Sequence, residues 1–128
     1  MAEKNRLVTI ILEVADLDRS VALYRVGFGL ELEMPDEHRV DDRWIGGKHS
    51  ALSWSKGAFL HFALYQAKGK ERTTGVQIAF GVEDINAAHA QALRAGATLI
   101  HTPRSEPWGT TSRYYDFDGN VVSLTQNS

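Results

Sequence analysis

The residues of this chain best suited to chemistry are Glu13 and His61, each set in a run of alternating character. In VTIILEV, residues 8–14, the period-two alternation of a strand puts Glu13 with Thr9 and Ile11 on one face and Val8, Ile10, Leu12 and Val14 on the other. In AFLHFALYQ, residues 58–66, His61 shares a face with Phe59, Ala63 and Tyr65, while Leu60, Phe62 and Leu64 take the opposite one. A carboxylate and an imidazole lining one cavity could hold a ligand by hydrogen bonds or act as general base and acid. The plainer alternatives are a strand-end carboxylate in water and a histidine satisfied by a neighbouring strand.

Three tryptophans, Trp44, Trp54 and Trp108, offer flat π faces on which an aromatic ligand can stack, although core packing is the commoner fate of any one of them. Trp108 is the best placed, in a loop between Pro107 and Gly109. Arg113, with Tyr115 two residues on, could bind an anionic group or pair with Asp116 and Asp118. His38, His49, His89 and His101 show no metal-binding spacing with one another, and the absence of cysteine removes disulfides, thiolate zinc sites and thiol nucleophiles. A formal net charge of -2 gives no basic field for nucleic acid or anionic lipid, so small molecules and proteins are the expected partners. The apolar run Leu7 to Leu12 is too short for a signal segment and no stretch is long enough for a membrane span, so a cytoplasmic protein is expected.

The elements that must position these residues come from an internal repeat. VTIILEVADLDRSVALY (8–24) aligns with VQIAFGVEDINAAHAQA (76–92) at an offset of 68, matching Val8 with Val76, Ile10 with Ile78, Val14 with Val82 and Asp16 with Asp84. Each copy alternates as a strand, meets an aspartate suited to capping a helix, and runs into a helical stretch closed by glycine. A chain of 128 residues makes one unit, so two half-size modules must share a core. The expected organisation is a single domain, 1–128, with module 1 over 7–66, a solvated linker over 67–75 and module 2 over 76–126.

Module 1 is predicted as a strand 8–14, a helix from Asp16 to about Val26, a strand 30–34, a strand near 43–45, and a hairpin of 51–55 with 58–66 about Lys56 and Gly57. Module 2 is predicted as a strand 76–82, a helix 85–95, a strand 98–102, a loop PRSEPWGT, and a hairpin of 113–116 with 121–126 turned by Asp118, Gly119 and Asn120.

VADLDRSVALYRVGFGLELE (14–33) and EPWGTTSRYYDFDGNVVSLTQ (106–126) resemble the two signature stretches of the vicinal oxygen chelate superfamily, which includes glyoxalases, extradiol dioxygenases, fosfomycin-resistance enzymes and bleomycin-resistance proteins. The resemblance spans essentially the whole chain. It implies an α+β fold of two βαβββ modules forming a curled mixed sheet around a cavity. It also implies four metal-ligand positions, which fall on Thr9, His61, Gln77 and Ser123. Of these only His61 is a usual ligand; two hydroxyls and an amide do not replace the charged or imidazole donors that hold zinc, iron, manganese or nickel. No metal and no cofactor are therefore expected. Pro107, Trp108 and Gly109 match a loop typical of the bleomycin-resistance branch, whose members are similar to cups that sequester a planar, basic, partly aromatic drug between two subunits; the mild charge of this chain departs from their acidity.

The leading expectation is a metal-independent protein that binds a small aromatic or polar organic ligand as a homodimer, conferring antibiotic or natural-product resistance by sequestration. Its ligand-binding residues are expected to be Thr9, Ile11, Glu13, Trp44, Trp54, His61, Gln77, Trp108, Arg113 and Ser123. The alternative is a glyoxalase-like lyase or isomerase with His61 and Glu13 as acid and base. A third class, a subunit or regulator without a small ligand, would be favoured by a cavity crowded shut by Trp54, Phe59 and Tyr65.

Overall fold

Both capping aspartates do what their position in the repeat suggests. Asp16, on extended backbone, accepts a hydrogen bond from the Arg19 amide at 3.2 Å, and Asp84 accepts from the amides of Asn86 and Ala87 at 3.1 and 3.2 Å. A computed structural model of the protein describes residues 5–38, 47–69 and 71–127. Within them the order is β1 (Thr9–Val14), α1 (Leu17–Ala22) continued by a π-helical turn (Leu23–Gly27), β2 (Asp36–His38), β3 (Gly47–Trp54), β4 (Leu60–Gln66), β5 (Gln77–Gly81), α2 (Ile85–Arg94), β6 (Thr98–Glu106), β7 (Gly109–Tyr115) and β8 (Val121–Gln126).

The protein is α+β, two βαβββ modules, and each module carries its own four-stranded mixed sheet. The orders are β1-β4-β3-β2 and β5-β8-β7-β6, with the first strand of each module parallel to its last and the remaining pairs antiparallel. The helix-bearing faces of the two sheets look toward each other. Phe62 of β4 meets Phe80 of β5 edge to face at 5.9 Å between ring centres, and Tyr24, after α1, meets Phe80 at 6.4 Å. Leu12, Val14, Leu17, Val21, Leu23 and Tyr24 pack there with Phe62, Leu64, Ile85, Tyr114, Val122 and Leu124, all buried. Each large apolar side chain so enclosed contributes about 1.5–3 kcal/mol relative to leaving it in water.

One close approach and one widened turn fix this arrangement. At Gly27 an added Cβ would stand 2.9 Å from Ala95 Cβ, because the end of α2 crosses the π turn there. The turn itself is widened, with the Phe28 amide bonded to the Leu23 carbonyl and the Leu30 amide to the Tyr24 carbonyl, before Gly29 at φ 74° swings the chain away.

Several local expectations change. Residues 30–34 form no strand: Leu32 is buried in the core, but the Glu33 amide makes one bond to Ala51 and Pro35 has no N–H, so no ladder develops and the strand is Asp36–His38. The strand expected near 43–45 lies outside the described residues. In module 2 the loop PRSEPWGT is mostly strand. β6 runs to Glu106, which pairs with Gly109, leaving Pro107 and Trp108 as a two-residue turn. Gly109 permits this by lying at φ 138° against the Gln126 carbonyl, with which a Cβ would collide.

The described linker residues are mostly exposed, and two of them are tied to the two modules. Thr73 bonds both the amide and the carbonyl of Glu13, and Arg72 pairs with the buried Asp118 at 3.1 Å. Asp118 also accepts from the Ala15 amide, Asp116 accepts from the Tyr24 hydroxyl at 2.7 Å, and Asn120 bonds the Val76 amide and the Thr73 carbonyl. Desolvation, the Asp116 charge and the hydrogen bond to it push the Tyr24 hydroxyl far above the usual tyrosine range, so it stays a donor. Tyr24→Phe leaves the Asp116 carboxylate short of that donor and is expected to destabilise the fold by about 1–3 kcal/mol. Chemical denaturation should show this as a lower midpoint with an unchanged slope; an unaltered midpoint would mean that the bond is idle.

Candidate functional site

Because the helices occupy the inner faces, odd-numbered residues of β1 and β4 lie on an outward face that no described helix covers, and so do their counterparts in module 2, although Ala63, Tyr65 and Thr111 within these faces are buried. On the module 1 face, Thr9, His61 and Ser53 stand side by side on β1, β4 and β3, and the Ser53 hydroxyl lies 2.7 Å from His61 Nδ1. The next row is Ile11, Ala63 and Ala51, and the next is Glu13, Tyr65, His49 and Asp36, in which the His49 and Tyr65 rings stack at 5.0 Å. Burial raises the pKa of the Tyr65 hydroxyl.

Glu13 therefore faces Tyr65, four residues along from the Thr9–His61 pair. At the rise of a strand this separates the Glu13 and His61 backbones by roughly 13 Å, too far for a shared proton-transfer site on one small substrate.

On the module 2 face one row is Gln77, Val121 and Tyr115, the next Ala79, Ser123, Arg113 and His101, and the next Gly81, Thr125, Thr111 and Arg104. Gln77 and Ser123 are thus two residues out of step, unlike Thr9 and His61, which face each other directly. Arg113 does not pair with Asp116 or Asp118, whose partners are Tyr24 and Arg72. It donates to His101 Nε2 at 2.8 Å and lies 3.7 Å from Glu106, which Arg104 holds at 2.8 Å. His101 Nδ1 donates in turn to the Thr102 carbonyl at 2.8 Å, which makes its ring the neutral tautomer with Nε2 free to accept. At the hairpin tip Trp108, 55% exposed, donates its indole N–H to the Thr111 hydroxyl, which meets the Thr125 hydroxyl beneath.

Trp54 is not with His61. It ends β3 beside a cavity of about 760 Å³ on the inner side, between the modules, lined by Ile10, Leu52, Phe62, Ile78 and Phe80 among others. Trp54 and Phe59 are each more than a third exposed, so they do not close that cavity. Trp44 lies outside the described residues.

Thr9, His61, Gln77 and Ser123 do not fit a divalent metal. His61 Nδ1 is engaged by Ser53, the cross-strand neighbour of His61 on β1 is a threonine, and among the described residues no three His, Asp or Glu side chains are grouped to hold an ion. What these four positions offer instead is two hydroxyls, an amide and an imidazole, with the Arg113 guanidinium next to Ser123 and the exposed Trp108 indole at the hairpin tip. Sequence reasoning missed Ser53, although it and His61 are equidistant from Gly57, where the hairpin turns, and that symmetry signals the pair. It also missed His101 and Glu106 around Arg113, because register shifts in β6 between Leu99, His101 and Arg104 hide them from simple alternation.

Hydrogen bonding to Arg104, with the charges of Arg104 and Arg113, holds the Glu106 carboxyl below the ordinary glutamate value. A depressed folded-state pKa stabilises the fold above the unfolded value, and that contribution is lost as pH falls through the folded one. An NMR pH titration should place the Glu106 midpoint below about 4.3, and Arg104→Ala should raise it. An unmoved midpoint in that variant would rule out the Arg104 contact as the cause.

The Glyoxalase/Bleomycin resistance protein/Dioxygenase superfamily model matches residues 6–124. No curated protein matches the chain by sequence. Among solved structures, TnmS3, an antibiotic binding protein from Streptomyces sp. CB03234, superposes with a TM-score of 0.73 at 20% identity, covering 100% of both chains. A glyoxalase/bleomycin resistance protein from the same organism gives 0.69 at 20% identity, over 94% of this chain and 100% of that one. The fosfomycin resistance protein FosX from Listeria monocytogenes gives 0.62 at 18% identity, over 100% and 96%. At such identities these likenesses show the fold alone. Together with the match over nearly the whole sequence, the paired βαβββ modules establish that this chain belongs to the Glyoxalase/Bleomycin resistance protein/Dioxygenase superfamily.

Proposed function

We propose that this protein binds a small aromatic or polar organic compound without a metal, and that it confers resistance to an antibiotic or related natural product by sequestering it in the cytoplasm. The observation that carries this reading is the make-up of the bare sheet faces. Where the family's enzymes would hold an ion, this chain has Thr9, His61, Gln77 and Ser123, flanked by Arg113 and the exposed Trp108. An indole stacks on a ring, hydroxyl and amide groups orient it, and a guanidinium fixed by His101 meets an anionic or carbonyl substituent. The likeness to an antibiotic binding protein and to a fosfomycin resistance protein supports the reading. Glu13 and Ile11 extend the module 1 face, and we assign them to the rim of the site. No described helix is long and apolar enough to cross a membrane, which is in keeping with this role.

The two candidate faces point away from each other within one chain, so one ligand touches both only if a second copy contributes the missing face. Ile11, Trp108 and Tyr115 leave apolar surface on these faces that such a partner would bury. A symmetric homodimer with two shared sites is the assembly proposed. Light scattering at micromolar concentration should give twice the chain mass, and a monomer there would overturn the shared site.

Binding is tested with a thermal-shift screen of aromatic natural products, bleomycin among them, followed by titration of variants. His61→Ala or Arg113→Ala should each weaken binding of the best ligand by about 1–3 kcal/mol, with no product formed. Elemental analysis of the purified protein should find far less than one divalent ion per chain. Stoichiometric metal, or turnover that His61→Ala abolishes while binding persists, would replace sequestration with catalysis.

A further inference from the structure

The cavity between the modules opens on the inner, helix-bearing side of both sheets, bordered also by Ser53, Ala79 and Gly81 of the outward rows but not by His61 or Arg113, and its volume of about 760 Å³ suits a small organic molecule. Its walls have a definite chemistry. Four aromatic residues line it, Phe28, Trp54 and Phe62 from module 1 and Phe80 from module 2. Among the described residues, the ionisable ones lining it are Glu31 and Glu83, one from each module, with no lysine, arginine or histidine beside them. Neither glutamate has an ion-pair partner among the described residues. Space is left at Gly29 and Gly81, which also line it and where an added Cβ would meet nothing within 4 Å.

Carboxylates at the rim of a low-dielectric recess, with no cation among the described lining residues, make its potential negative. Aromatic faces attract a cation through their quadrupoles and accept an apolar body by burial. A neutral or anionic guest would use only the apolar walls. We propose that this cavity is a second ligand site, selective for an amphiphilic monocation: an aromatic or alicyclic body carrying one protonated amine, its nitrogen between Glu31 and Glu83 and its ring against Phe62 and Phe80. Cation and ring are each read by one residue from either module, so an occupied cavity ties the two modules together.

A matched pair of probes tests this on the full-length protein: 1-naphthylmethylammonium and its neutral isostere 1-naphthylmethanol, titrated by calorimetry at low salt. The ammonium should bind about tenfold or more tightly than the alcohol. In the double variant Glu31→Gln with Glu83→Gln the preference should vanish while the alcohol binds as before, which shows the cavity to be intact. His61→Ala and Arg113→Ala, on the bare faces, should leave the ammonium affinity unchanged, so this result stands or falls separately from the proposed sequestration site. Equal affinities for the two probes, no binding of either at millimolar concentration, a preference that survives the double glutamine variant, or loss of ammonium binding in either bare-face variant would each overturn the proposal.

Discussion

The fold depends on one short buried turn. Asp116 folds its carboxylate back onto the amides of Asp118 and Asn120, at 2.9 and 2.8 Å, and this turn reaches the first helix, the end of the first strand, the linker and the start of module 2. Tyr24 at the end of the first helix, Ala15 after the first strand, Arg72 and Thr73 in the linker, and Val76 ahead of β5 all bond to Asp116, Asp118 or Asn120. Two carboxylates so close together and so little exposed are tolerable because both Asp116 oxygens accept from Tyr24, Asp118 and Asn120, and Asp118 Oδ1 meets the Ala15 amide and the Arg72 guanidinium. The balance is uneven at Asp118. Burial and the neighbouring Asp116 raise its pKa, and the Ala15 amide and the Arg72 guanidinium oppose them. Glycine at 119, at φ 85°, lets the chain close the turn without strain.

With the modules joined at that turn, the rest of the geometry has little freedom. Each module must cover one apolar sheet face, and its own helix covers only part of it. Setting the two helix-bearing faces together lets Phe62 and Phe80 complete each other's surroundings, and Gly27 admits the contact with α2 that brings the helices to packing distance. Burying the helix faces inside the chain leaves the other faces bare. The two regions assigned to ligands follow from this single choice: the outward faces are unused by the fold, and the inner cavity is the part of the shared core that two short helices do not fill.

How much of this was legible in the sequence follows from the range of the forces involved. Local signals were readable: the repeat offset, the capping aspartates, the Val8 to Val14 alternation and the apolar stripe of Leu17, Val21 and Tyr24 report bonds and faces within one element. The family resemblance supplied how the modules are built. Harder features depended on distant partners. Leu30 to Met34 alternates like a strand, but whether a ladder forms is decided by β3, which offers it a single backbone bond at Ala51. Arg113 beside two nearby aspartates looked like their partner, yet the strand pleat sends it to the other side of the sheet, toward His101 and Glu106. Trp54 was grouped with His61 by residue type, although it lies seven positions before His61 and on β3 takes the parity of Leu52, which faces inward.

The bare faces also explain how this fold can drop a metal set without loss of structure. Thr9, His61, Gln77 and Ser123 belong to none of the buried apolar cluster, and none bonds to the Asp116 turn. Replacing a ligand at any of them removes no packing and orphans no buried group, so the cost to stability is that of a surface change. Asp116, Asn120 and Gly109 are in the opposite position, since each is enclosed by backbone that has nowhere else to go. Chemistry on the faces is therefore uncoupled from the frame that holds them. In the proposed binding role, a hydroxyl, an amide, an indole and a guanidinium take the place of an ion, and specificity lies in how Ser53 sets the His61 ring and His101 sets Arg113, each contact made between neighbouring strands of one sheet.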